Sequence, residues 1–136
     1  MHSFNPYLTF DGNCEEAFQF YQNCFGGKIS IIQRFGDSPM PVPDAYKDKI
    51  MHMELEAAPV HMMGSDGSPQ HQVIKGNTVT FNLAFQDTEE QDAIFNKLAE
   101  GGQVSMPLEN TFWGSRFGML TDKFGVHWML NCQLSS

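Results

Sequence analysis

The chain reads as α+β, built from two tandem βαβββ modules over about residues 1–68 and 74–136 of one domain. Three observations lead there. Phe10 and Phe85, Phe20 and Phe95, and Gly26-Gly27 and Gly101-Gly102 repeat in the same order at a spacing of 75 positions. Each half holds one segment with helical periodicity that a Gly-Gly pair terminates. Short β-rich segments separated by Gly- and Pro-rich stretches fill the rest. One helix per module shields one sheet face. The other face is expected to curl around a cleft, where a small ligand would sit, or to pack on a neighbour.

In the first half, residues 4–10 are rich in β-formers, and Asp11-Gly12-Asn13 is a turn. Asn13 and Glu16 have the spacing of a capping box. Cys14, Ala17, Phe18, Tyr21, Cys24 and Phe25 recur on one helical face. Residues 28–35 form the second strand, and residues 36–49, with Pro39, Pro41 and Pro43, a long loop. Residues 50–56 alternate as a strand, and residues 60–63 form a short one. Residues 64–77 form the second long loop.

The pattern then restarts. Residues 78–85 form a strand, and Thr88 and Gln91 the next capping pair. Gln91, Ile94, Phe95, Leu98 and Ala99 line the second helix. Strands follow over residues 103–106, 116–120 and 126–132, with a third loop at 107–115. Val60-His61-Met62-Met63 resembles Val126-His127-Trp128-Met129 at a shorter spacing of 66, so the loops differ in length between halves.

A net charge of −8 and the lack of a basic cluster argue against nucleic acid or an anionic membrane as partner. No apolar run has the length of a membrane span, and no signal peptide is visible. Cys14, Cys24 and Cys132 are odd in number and lack CxxC spacing, which suits buried thiols in a reducing, cytoplasmic compartment. There is no phosphate loop, no GxSxG elbow, and no PCxxC to complete His52-Met53-Glu54 as a deaminase zinc motif.

Residues 6–21, from Pro6-Tyr7-Leu8-Thr9-Phe10-Asp11-Gly12-Asn13-Cys14-Glu15-Glu16 to Phe20-Tyr21, resemble the opening of PhnB-like proteins. Asp48-Lys49-Ile50-Met51-His52, Thr111-Phe112-Trp113-Gly114 and residues 121–129, including Phe124-Gly125-Val126-His127-Trp128-Met129, resemble the same branch. It belongs to the glyoxalase/bleomycin-resistance/extradiol-dioxygenase (vicinal oxygen chelate) superfamily. The resemblance implies paired βαβββ modules forming a partly open, barrel-like sheet around a cleft, and a homodimer, but no single reaction. Metal-dependent members take two ligands from the first and last strands of each module. Those positions fall at Pro6, Met63, Phe81 and Met129, none a suitable ligand for a divalent ion. The adjacent Asn5, Tyr7, Thr80 and Asn82 are weak donors as well. The expectation is no cofactor and no metal tetrad, with Met63, Phe81 and Met129 lining the cleft instead.

Parity on the third strand puts His52, Glu54 and Glu56 on one face and Met51, Met53 and Leu55 on the other. The apolar face belongs under the helix, which leaves His52 on the concave side as a base or hydrogen-bond donor, or as a satisfied strand histidine. His61 shares a face with Met63, and His127 with Met129; a displaced metal site from His52, Glu54, His61 and His127 is the rival arrangement. Trp113, expected to share a cleft with His52, either stacks on a planar ligand or plugs a dimer interface. Arg116 either holds an anion or makes a surface ion pair. The leading reading is a pocket for a small, partly aromatic or anionic molecule, with turnover left open. A metal-dependent lyase, isomerase or dioxygenase is the alternative. The branch's label of 3-demethylubiquinone methyltransferase ranks below both, because no Gly-rich turn follows the first strand.

Overall fold

A computed structural model describes residues 1–134. The chain divides into two compact units, one ending at Ile74 and the other starting at Lys75. In the first, β1 (Tyr7–Thr9) leads to α1 (Cys14–Phe25), β2 (Lys28–Arg34), β3 (Ile50–Ala57) and β4 (Val60–Ser65). In the second, β5 (Phe81–Phe85) leads to α2 (Thr88–Ala99), β6 (Gln103–Asn110), β7 (Ser115–Thr121) and β8 (His127–Gln133). Both are therefore βαβββ units. The sheet orders are β1-β4-β3-β2 and β5-β8-β7-β6, so the two topologies match. In each, the first strand runs parallel to the last and the other pairs are antiparallel. Both sheets are open, with two edges each.

The Gly-Gly pairs have a structural reason. Gly26 and Gly101 take positive φ past the helix ends. The following glycine packs so closely on the sheet that a Cβ at Gly27 would strike the Glu56 carbonyl, and one at Gly102 the Thr121 carbonyl. In both halves the pair ends the helix and lets the chain turn directly onto the next strand.

The first core lies between α1 and one face of its sheet. Phe18 and Tyr21 of α1 are fully buried, as are Met53 and Leu55 of β3, and Met62 of β4 is nearly so. Phe18 packs edge-on against Phe10 and Tyr21. Gly64 of β4 is small because a Cβ there would enter the Phe18 ring. Burying each such side chain contributes about 1.5–3 kcal/mol. The second core repeats the plan with Phe95 and Leu98 of α2 and the buried Leu120, Trp128 and Leu130 of the sheet.

Local expectations fail where a distant group competes. Asn13 makes no side-chain cap on α1. The Cys14 N–H instead donates to Asp66 Oδ1 at 2.9 Å, and the Ile50 N–H to Asp66 Oδ2 at 2.8 Å. The cap of α2 is Asp87, accepting from Glu89 N–H, rather than Thr88 with Gln91. Gln91 is buried and donates to the carbonyls of Arg116 and Leu130. The sixth strand extends past residue 106 to Asn110, carrying Pro107 on an edge strand where a missing N–H is tolerated. The third loop shrinks to a turn in which Thr111 Oγ1 bonds both the N–H and the carbonyl of Ser115.

Candidate functional site

The face of the first sheet opposite α1 carries a connected set of polar side chains. Across the four strands, Tyr7, Met63, Glu54 and Ile31 stand in register. Ladder partners share a face, so they form one row. His52 lies two positions from Glu54 along β3, and His61 two positions from Met63 along β4. Tyr7, with half of its surface exposed, joins its hydroxyl to His52 Nδ1 at 2.9 Å. The two rings stack, centroids 5.5 Å apart and 29° between planes. His52 Nε2 lies 2.8 Å from Glu54 Oε2, and His61 Nε2 lies 2.8 Å from Glu54 Oε1. The result is one chain: phenol, imidazole, carboxylate, imidazole.

The carboxylate sets the proton positions. Hydrogen bonds from His52 and then His61 hold the Glu54 carboxyl below its ordinary range. An ionised carboxylate only accepts, so both Nε2 atoms carry hydrogen. In neutral His52 the Nδ1 is then the acceptor of the Tyr7 hydroxyl. Desolvation pushes the Tyr7 phenol up, which keeps that donor protonated. Such an arrangement orients imidazoles for binding or for proton transfer.

The other sequence candidates lie as follows. Met63 belongs to this face. In the second unit the register pairs Met129 with Asn82 and not with Phe81. Phe81 is the ladder partner of the buried Trp128, whose ring it meets at 5.4 Å on the α2 side. Arg116 is tied to α2, bonding Gln91 Oε1 at 3.2 Å and Asp92 Oδ1 at 2.8 Å. His127 has both ring nitrogens engaged, by Thr121 Oγ1 at 2.8 Å and the Gly76 carbonyl at 3.0 Å. It is thus no free metal ligand. Trp113 is more than half exposed and meets the rings of Phe112 and Phe117 at 5.0 and 6.2 Å.

Fit to the superfamily's metal is decided by donor chemistry. The register places Tyr7 beside Met63 and Asn82 beside Met129, one residue along from the sequence-expected Pro6 and Phe81. A phenol, an amide and two thioethers do not make a ligand set for a hard or borderline divalent ion. Among the described residues no three His, Cys, Asp or Glu side chains are grouped to hold a metal.

Sequence reasoning missed Tyr7 as the hydroxyl of the network, because the register that sets it beside Met63 is not encoded in residue spacing. It also missed a cavity of about 350 Å³ at the start of α1. There Arg34 grips Glu15 with two bonds of 3.0 and 2.9 Å, and Lys49 donates to the Gly12 carbonyl. These groups satisfy one another and tie the 36–49 loop to the helix. Burial pushes the Cys14 thiol up, so it is an inert core residue.

A family model described as 3-demethylubiquinone-9 3-methyltransferase matches residues 2–131. The chain belongs to that family. Protein YjdN of Escherichia coli strain K12 is 34% identical over 137 residues, covering 93% of this chain and 92% of its own. The crystal structure of protein PA1353 from Pseudomonas aeruginosa is 43% identical with a TM-score of 0.90, over 99% of this chain and 100% of that one. A Bacillus cereus structure described as a putative 3-demethylubiquinone-9 3-methyltransferase, PhnB protein, is 29% identical with a TM-score of 0.81, over 96% and 99%. The family is the PhnB-like branch that the sequence motifs resemble. The fold is shared more widely: a glyoxalase-related enzyme from Fulvimarina pelagi has a TM-score of 0.65 at 13% identity, over 98% of this chain and 89% of that one. The chain thus has the glyoxalase/bleomycin-resistance fold, in two open mixed sheets. Among the described residues, no helix is long and apolar enough to cross a membrane.

Proposed function

We propose that this protein binds a small, flat molecule on the open face of its first sheet, around Tyr7, His52, Glu54 and His61, and does so without the superfamily's metal tetrad. The observation that carries this reading is the hydrogen-bonded chain of four polar side chains on a half-exposed sheet face. A core role would have buried such a network; here the tyrosine and both imidazoles retain solvent access. Met63 and the exposed Ile31 add apolar surface beside it. Polar groups at fixed positions on an apolar floor are what a small-ligand site needs. A reducing, cytoplasmic setting is supported by the three buried cysteine thiols.

The test is a titration with salicylate, a planar aromatic anion, followed by backbone amide shifts. Saturable shifts at positions 7, 52, 54, 61 and 63 are expected. His52→Ala should weaken the binding by about 1–3 kcal/mol, the cost of a polar partner left unsatisfied beneath the bound ligand. Shifts confined to other surfaces, or none up to the probe's solubility, would overturn the reading.

A further inference from the structure

We infer that Glu54 and His61 form a base that takes the proton of a weakly acidic hydroxyl, so that the ligand binds as its oxyanion beside a protonated His61. This rests on the binding face proposed above and adds the ligand's chemical class and charge.

The three strand-borne histidines differ in what their ring nitrogens already do. His127 has both engaged, and His52 gives Nδ1 to Tyr7 and Nε2 to Glu54. His61 bonds Glu54 through Nε2, and among the described residues no hydrogen bond engages its Nδ1. With hydrogen on Nε2, the neutral ring has its lone pair at Nδ1. More than a third of the side chain is exposed, so that lone pair is accessible to a ligand.

Two carboxylates flank His61. On its open face His61 has Glu54 at 2.8 Å and Glu56 of β3 as its ladder partner; Glu56 in turn pairs with Lys28 of β2. Tyr7 of β1 and His52 of β3 complete the titratable groups of the network, and α1 packs on the other face of the sheet. Glu54 accepts from both imidazoles, one through each carboxylate oxygen. The Tyr7 bond occupies His52 Nδ1 and directs a ligand's proton to His61.

In the step itself, the ligand O–H bond breaks and an N–H bond forms at His61 Nδ1. The electron pair stays on the ligand oxygen, and the imidazolium charge is held by Glu54 through Nε2–H. The stacked Tyr7 and His52 rings and Met63 form an apolar plate beside the base. A hydroxyl on a flat ring is the class of ligand that suits both features.

The probe is 4-nitrophenol, whose anion has a visible absorption band that the neutral form lacks. The full chain is titrated at a pH where the free probe is mostly protonated, with 4-nitroanisole, which has no acidic proton, as companion. Bound nitrophenol should show the anion band and saturate at one probe per chain. Glu54→Gln and His61→Gln should each lose the band, and His71→Gln, at an exposed loop position, should keep it. Retention of native melting by each variant is read alongside. If both probes shift the amides of residues 7, 52 and 61 but no band develops, the proton transfer is overturned while the binding face stands. A band that persists in His61→Gln also overturns the proposal. If neither probe shifts those amides, both readings fall.

Discussion

Tyr7 and His52 stand 45 positions apart in the chain and are joined by a 2.9 Å bond between phenol hydroxyl and imidazole Nδ1. The parallel pairing of β1 with β4 brings the first strand within reach of β3 across one intervening strand. Removing the hydroxyl in Tyr7→Phe keeps the ring stack and deletes this bond. A stability loss of about 0.5–1.5 kcal/mol in urea denaturation is expected, the usual net value of one hydrogen bond. A Tyr7→Phe protein as stable as the wild type would show the contact to be incidental.

Glu54 couples the network to pH. Its folded-state pKa is depressed, first by His52 and then by His61. A depressed carboxylate contributes stability at pH above its unfolded value of about 4.3, and that contribution is lost as the pH falls through the lowered folded value. Carboxyl NMR titration should therefore find Glu54 ionising below an ordinary glutamate, and His52→Ala should move it upward. An unmoved titration in His52→Ala would refute the coupling.

Asp66 joins the starts of α1 and β3 through two buried backbone donors, Cys14 N–H and Ile50 N–H. Asp66→Ala leaves both unsatisfied, for an expected loss of about 2–6 kcal/mol at roughly 1–3 per buried group. Asp66→Asn retains one acceptor oxygen and should lose less. Equal stability of all three proteins in denaturant would contradict this account.

Metal content follows from the donor positions. With Tyr7, Met63, Asn82 and Met129 where each half would supply ligands, protein purified without chelator or His-tag should hold no stoichiometric divalent ion. Elemental analysis returning one equivalent of zinc, nickel, manganese or iron per chain would reverse the conclusion.

Association of two copies is the fifth expectation. The edge strand β6 exposes Val104 and Met106, and the turn after it exposes Phe112 and Trp113. Unpaired edges flanked by apolar side chains are commonly covered by a second chain. Light scattering at micromolar concentration should give twice the 15.4 kDa chain mass. A monomeric mass would count against it.

The repeat, the helices and the orientation of β3 were legible without coordinates, because each is a local or periodic property. Two Gly-Gly pairs mark two helix ends. A period of two alone separates His52 and Glu54 from the buried Met53 and Leu55. What escaped were relationships set by register and by competition at long range. The family resemblance pointed to Pro6 and Phe81, whereas strand pairing puts Tyr7 and Asn82 beside Met63 and Met129, and a slip of one residue exchanges the two faces of a strand. Asn13 had the local form of a helix cap, yet a carboxylate 52 positions away from the first helical N–H took the role. The sequence by itself determined two βαβββ units and which residues of β3 share a face. Only the tertiary structure decided that Tyr7, His52, Glu54 and His61 form one hydrogen-bonded chain, because hydrogen bonds depend on ångström distances that strand register sets and residue spacing does not encode.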